Sequence, residues 1–124
     1  MLKTKNYEVK HNGIVVEIIP EAYAIIRRLV VGENDMAVAY IGVYRSKDLA
    51  RNNRTVPPVI EKRIDFKSDR TANDRETAYS ISKTKLIQRK FNPLTKTVDE
   101  IVVDERFFGW ENEIETIKSN YSYR

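Results

Sequence analysis

The sequence predicts a single α+β domain spanning residues 1–124, built mainly on an antiparallel sheet with two hairpins and two short helices. Three observations carry this expectation. Between residues 83 and 105 a basic segment with Lys83, Lys85, Arg89 and Lys90 is set against an acidic one with Asp99, Glu100, Asp104 and Glu105, across Asn92-Pro93. Asn at the first and Pro at the second turn position suit a type I turn, and opposite charges facing across a strand pair favour one register. Asn12-Gly13, flanked by alternating segments, is a second and independent hairpin signal. Strands follow strands with too few helices for parallel crossovers, which favours antiparallel pairing.

Taken in order, Tyr7 to Ile19 reads as the first hairpin, in which Ile14, Val16 and Ile18 share a face. From Pro20 to about Val31 the spacing of Ala22, Ile25, Ile26, Leu29 and Val30 predicts a helix, with Pro20 at its first position and Gly32 as its stop. Met36 to Tyr44 is apolar throughout, which suits a buried strand or a helix capped by Asn34 or Asp35. Its β-branched residues and Gly42 favour the strand. Arg45 to Pro58 reads as a long loop, and Val59 to Phe66 alternates as a half-buried strand should. A polar connection at 67–74 leads to a long strand from Thr77 to Phe91, the first arm of the charged hairpin. Trp110, Ile114, Ile117 and Tyr121 fall on one stripe of a second short helix, with Glu111, Glu113 and Glu115 near its N-terminal end, where the helix dipole favours acids.

Composition narrows the chemistry. The 124 residues are 41% hydrophobic and 32% charged, enough for one core and too apolar for wholesale disorder. Without cysteine there can be no disulfide, thiolate metal site or cysteine nucleophile. His11 is the only histidine and precedes a turn, where a solvated hairpin tip accounts for it. Gly13, Gly32, Gly42 and Gly109 are scattered and make no phosphate-cradling loop, and no serine sits in a nucleophile elbow. No apolar run reaches the length of a membrane span, and the N-terminus has no leader pattern. These features lead us to expect no enzyme activity, no cofactor, no metal and no membrane association, with a cytoplasmic or virion location. Size and composition suit a bacterial or phage-encoded protein.

One segment carries a catalytic pattern. Asp65-Phe66-Lys67 at a strand end resembles the acid-x-lysine half of a metal-dependent nuclease motif, with Asp48 or Glu61 as further ligands. Its upstream Pro-Asp is missing, and alternating charge at a strand end explains it as well. Asp69, Asp74 and Glu76 are interleaved with Arg70 and Arg75, which makes a self-neutralising loop.

Two binding readings remain. Phe107, Phe108, Trp110, Tyr121 and Tyr123 place more large rings near the chain end than one small core needs, and such rings dominate protein interfaces. Since Phe107-Phe108-Gly109-Trp110 cannot put every ring on one side of a strand, at least one ring must face outward or under a neighbour. The chief expectation is therefore an interaction or assembly protein, a subunit or adaptor working through a protein partner or self-association. The alternative is a nucleic-acid-binding accessory protein using the loop cations Arg45, Lys47, Arg51 and Arg54 with the strand cations Lys83, Lys85, Arg89 and Lys90. The net charge of +4 is mild, and much of the strand charge is answered by facing acids.

Overall fold

In a computed structural model that describes residues 1–70 and 73–114, one long strand organises the chain. β1 (Leu2–His11) turns at Asn12-Gly13 into β2 (Ile14–Val31), as the sequence predicts. Asn12 and Gly13 both take the positive φ that this turn requires, 52° and 79°. β3 (Met36–Tyr44) and β4 (Ile60–Lys67) follow where strands were expected, separated by α1 (Lys47–Arg51). After α2 (Asp74–Ser82) come β5 (Leu86–Asn92), β6 (Thr97–Asp104) and a two-residue β7 (Glu111–Asn112). Among the described residues all pairing is antiparallel, in a five-stranded sheet of order β4-β3-β2-β1-β7 and a separate two-stranded sheet, β5-β6.

The mainly antiparallel α+β class holds, and the two α-helices among the described residues lie elsewhere than the sequence places helices. The segment expected as a helix from Pro20 to Val31 is the second half of β2. Its ladder with β3 runs Ile26 opposite Ile41 and then Arg28 opposite Tyr40, so Arg27 is an extra residue in a β-bulge. Ala22, Ala24 and Ile26 are buried in the main core, and beyond the bulge Leu29 and Val31 pack against it. Tyr23 and Ile25 belong to the other face. Two alternating faces shifted by one residue put apolar side chains at spacings that imitate a helical stripe. Pro20 is tolerated because the ladder skips the pair it would make with Asn6, so its missing N–H costs no bond there.

Thr77 to Ser82, expected as strand, is the end of α2 instead. Asp74 and Glu76 occupy its first turn, where the helix dipole favours acids, and Ala78, Tyr79 and Ser82 are its buried residues. The expected loop at 45–58 contains α1, whose Ser46 hydroxyl caps the N–H of Leu49 at 3.1 Å. The C-terminal stripe is not helical at its start, since Glu111 and Asn112 pair with Lys3 and Leu2. Ile117 and Tyr121 lie outside the described residues.

One face of the large sheet carries the main core. Ala22, Ala24, Ala37 and Ala39 are fully buried there, and their small side chains leave room for Tyr79 of α2 and for Phe107 and Trp110. Trp110 meets Phe107 edge to face at 4.9 Å and Tyr7 at 5.5 Å, tying the segment after β6 to β1. A smaller cluster of Met1, Ile25, Tyr44 and Ala50 lies under α1 on the opposite face.

The bulge also explains a buried polar contact, since the Ile26 N–H donates to the Tyr79 hydroxyl at 2.8 Å. Removing that acceptor leaves a buried donor unsatisfied, at a cost of about 1–3 kcal/mol. Tyr79→Phe should lower unfolding free energy by this amount in urea titration, with native strand content by circular dichroism. An unchanged midpoint would show that the bond does not hold the bulge.

Candidate functional site

Two surfaces stand out, a hairpin whose faces no other described element covers and a cleft lined with arginines. The basic strand faces the acidic one as the sequence predicts, and the structure supplies the register, with Arg89 opposite Glu100 and Lys90 opposite Asp99. Arg89 Nε donates to Glu100 Oε2 at 2.9 Å. The turn is a four-residue loop, 93–96, closed by a Lys96 N–H bond to the Asn92 carbonyl at 2.8 Å. The Asn92 side chain accepts from the Leu94 N–H at 3.0 Å, and Lys96 takes a φ of 57°.

Among the described residues, β5 and β6 pair only with each other. On one face Ile87 sits opposite Val102 and Phe91 opposite Val98, flanking the Arg89–Glu100 pair. All four apolar side chains are exposed, Phe91 at 60% and Val98 at 59%. The other face carries Gln88 and Ile101, then Lys90 and Asp99. A two-stranded hairpin is marginal alone in water, so this one depends on its anchorage and on whatever covers it.

The anchorage is polar. Lys62 Nζ on β4 reaches both oxygens of Asp104, at 2.9 and 3.1 Å, and Asp104 Oδ1 also accepts the Arg106 N–H at 2.8 Å. The Phe107 N–H donates to the Ser82 carbonyl at 2.9 Å. Partial burial pushes the Asp104 carboxyl up, but the Arg106 N–H and the Lys62 ammonium outweigh it and hold the carboxyl below its ordinary value.

The second surface lies on the sheet face away from the main core. Arg27, Arg28, Tyr40, Asn53, Arg54 and Glu61 line a cleft of about 320 Å³. Arg27, pushed out by the bulge, bonds Glu61 at 2.6 Å, and the Arg28 guanidinium lies 4.4 Å from the centre of the Tyr40 ring. Gly42 makes this layout possible, because a Cβ there would come within 2.7 Å of Arg27 Cδ and 2.9 Å of Pro58 Cβ.

The residues singled out from sequence are dispersed. Phe107 and Trp110 are buried, 1% and 8% exposed, so they hold the fold together and offer no docking surface; Phe108 faces outward at 55%. Tyr121 and Tyr123 lie outside the described residues. Of the loop cations, Arg45 makes a two-bond pair with Glu17 at 2.7 and 2.8 Å, and Lys47 pairs with Glu113 at 2.5 Å. The Nε of Arg51 is buried without a hydrogen-bond partner among the described residues, and Arg54 joins the cleft. Lys83 Nζ bonds the Asn112 side chain at 3.1 Å, and Lys85 lies over the Phe108 ring at 4.5 Å. Arg45, Lys47 and Arg89 are thus already paired with carboxylates, while Lys47 and Lys83 bind the neighbouring residues Glu113 and Asn112.

Sequence reading missed Arg27, Arg28 and Tyr40, whose convergence depends on the bulge. It also missed the outward apolar pairs of the hairpin, although the alternation of Ile87, Arg89 and Phe91 was there to be read. Asp65 of the nuclease-like pattern accepts from Arg63 at 2.9 Å, and no three His, Asp or Glu side chains cluster to hold a metal among the described residues. No described helix is long and apolar enough to cross a membrane. Comparison of the chain with protein-family models, curated proteins and solved structures gave no match.

The hairpin anchor should be sensitive to acid. Because the folded-state pKa of Asp104 is depressed, its contribution is fully present above the unfolded value of about 3.9 and is lost as pH falls through the lower folded value. Amide exchange in 86–104, corrected for intrinsic rates, should therefore accelerate below about pH 4 before that of β2 and β3 does. Asp104→Asn should show the faster exchange already at neutral pH. Equal protection in both proteins across the range would remove Asp104 as the anchor.

Proposed function

We propose that this chain is a non-enzymatic interaction protein, a subunit or adaptor that enters an assembly through its β5–β6 hairpin. The observation that carries this reading is the two-stranded sheet with apolar pairs exposed, Ile87 with Val102 and Phe91 with Val98. Fully burying one such side chain stabilises by roughly 1.5–3 kcal/mol, so a partner laid over this face gains from several at once. The same residues left in water give the isolated hairpin little reason to persist. The ordered domain closes its core without them, which suits a body that carries a protruding contact element.

The test is the size of the protein's complex in extracts of its native cells or particles. Wild type should sediment well above the 14.5 kDa of one chain, and Phe91→Lys with Val98→Lys should return it to that size while the domain stays folded. Wild-type sedimentation as a free chain, or an unchanged complex in the double variant, would overturn the reading.

A second reading is favoured by the cleft, where three arginines face one glutamate beside a tyrosine ring. Such a surface suits a phosphodiester backbone with a base against the aromatic ring, as in single-strand binding. Arg28→Glu with Arg54→Glu should then abolish binding of a fluorescent single-stranded oligonucleotide and flatten its salt dependence. Equal binding by variant and wild type, or none by either, excludes this use of the cleft.

A further inference from the structure

We propose that the partner of the β5–β6 hairpin is a second copy of this chain, added head to tail, with the basic β5 of one copy pairing with the acidic β6 of the next. The proposal rests on the interaction reading above and names its partner. Its basis is the segregation of charge between two strands whose outer edges are both unpaired among the described residues.

Inside the hairpin, Arg89 faces Glu100 and Lys90 faces Asp99. Whatever strand is added at either edge becomes the new cross-strand neighbour of the same side chains. A two-fold contact through β5 in this region brings Arg89 and Lys90 near their own counterparts, and one through β6 does the same for Asp99 and Glu100. Like charges directly opposite are destabilising. Antiparallel addition of the next copy's β6 to β5 instead repeats the register already present. Arg89 then meets a second Glu100 and Lys90 a second Asp99, while Phe91 gains another Val98 and Ile87 another Val102. The apolar rows thus lengthen across the new sheet, with an ionic row between them. The only register shift in the hairpin lies between Leu86 and Ile87, so no bulge interrupts the part of the edge that would pair. Each copy offers one edge of each kind, so the contact is heterologous and propagates as a ring or an open fibre.

Cross-linking tests this in a chain that has no cysteine of its own. Gln88 and Ile101 are directly opposite within the hairpin, so head-to-tail pairing in the same register sets Gln88 of one copy beside Ile101 of the next. A mixture of Gln88→Cys and Ile101→Cys chains should form the mixed disulfide dimer under mild oxidation, and neither variant alone should cross-link. Homodimers of either variant in preference to the mixed product would overturn the proposal.

A second variant addresses the charges directly. Exchanging them through Arg89→Glu, Lys90→Asp, Asp99→Lys and Glu100→Arg preserves the pairs within the hairpin. The exchanged protein should self-associate as wild type does, yet show no energy transfer with labelled wild type. Mixed oligomers would instead reveal a two-fold contact. Purified wild type that sediments as a monomer at all concentrations also removes the proposal, while hairpin-dependent entry into a larger complex in extracts would leave the broader interaction reading standing.

Discussion

The extra residue at Arg27 in β2 is the constraint on which the rest of the domain depends. It shifts the strand by one position, so that Ala22, Ala24 and Ile26 before it and Leu29 and Val31 after it serve the same core. It also leaves the Ile26 N–H to the Tyr79 hydroxyl, which ties α2 to the middle of the sheet. On the opposite face the same shift puts Arg27 across Gly42 toward Glu61, next to Arg28 over Tyr40. A single backbone irregularity thus couples the buried face, the helix above it and the arginine cleft below it.

The hairpin obeys different physics. The large sheet is fixed by its core, where a slip of one residue would turn Ala24 and Ile26 to the other face and bring the larger Tyr23 and Ile25 against α2. β5 and β6 bury almost nothing, so side-chain pairs and a closing loop must define their register. Arg89 with Glu100 and the Asn92–Lys96 closure supply both, each contribution being modest, on the order of 0.2–1 kcal/mol for a cross-strand pair. Exposed pairs of this kind are screened by salt and depend on water being kept away. Covering the apolar rows would strengthen the same ion pairs that set the register.

What was legible in the sequence follows from which signals are local. Asn12-Gly13 dictates positive φ at two adjacent residues, and few arrangements other than a tight hairpin accept that. The charge pattern of 83–105 shows a basic strand set against an acidic one across a turn, but not which residues pair, because charges on both faces of each strand fit more than one offset. The helix expected over 20–31 failed because a bulge is a tertiary event that leaves no composition mark, and two faces out of phase by one residue look like period 3.6. Thr77 to Ser82 failed in reverse. The sequence makes it the start of one long strand running to Phe91, but the acids at 74 and 76 and the docking of Ala78 and Tyr79 on the main core decide for helix.

The aromatic count near the chain end misled for a related reason. Five large rings near the chain end look like surplus when the core is imagined as one sheet face packed by two helices. The real core has an alanine-rich floor, and Phe107 and Trp110 fill the volume those alanines leave. In the proposed interface the apolar contact therefore passes from rings that close the fold to Ile87, Phe91, Val98 and Val102 of a hairpin that nothing in the described fold covers. The same redistribution weakens the electrostatic case for phosphate. Arg45, Lys47 and Arg89 each have a carboxylate within 3 Å, so binding a polyanion would first have to displace an existing partner. A positive surface of that kind releases few counterions, so the phosphate reading rests chiefly on the cleft, whose lining gathers Arg27, Arg28 and Arg54 with Glu61.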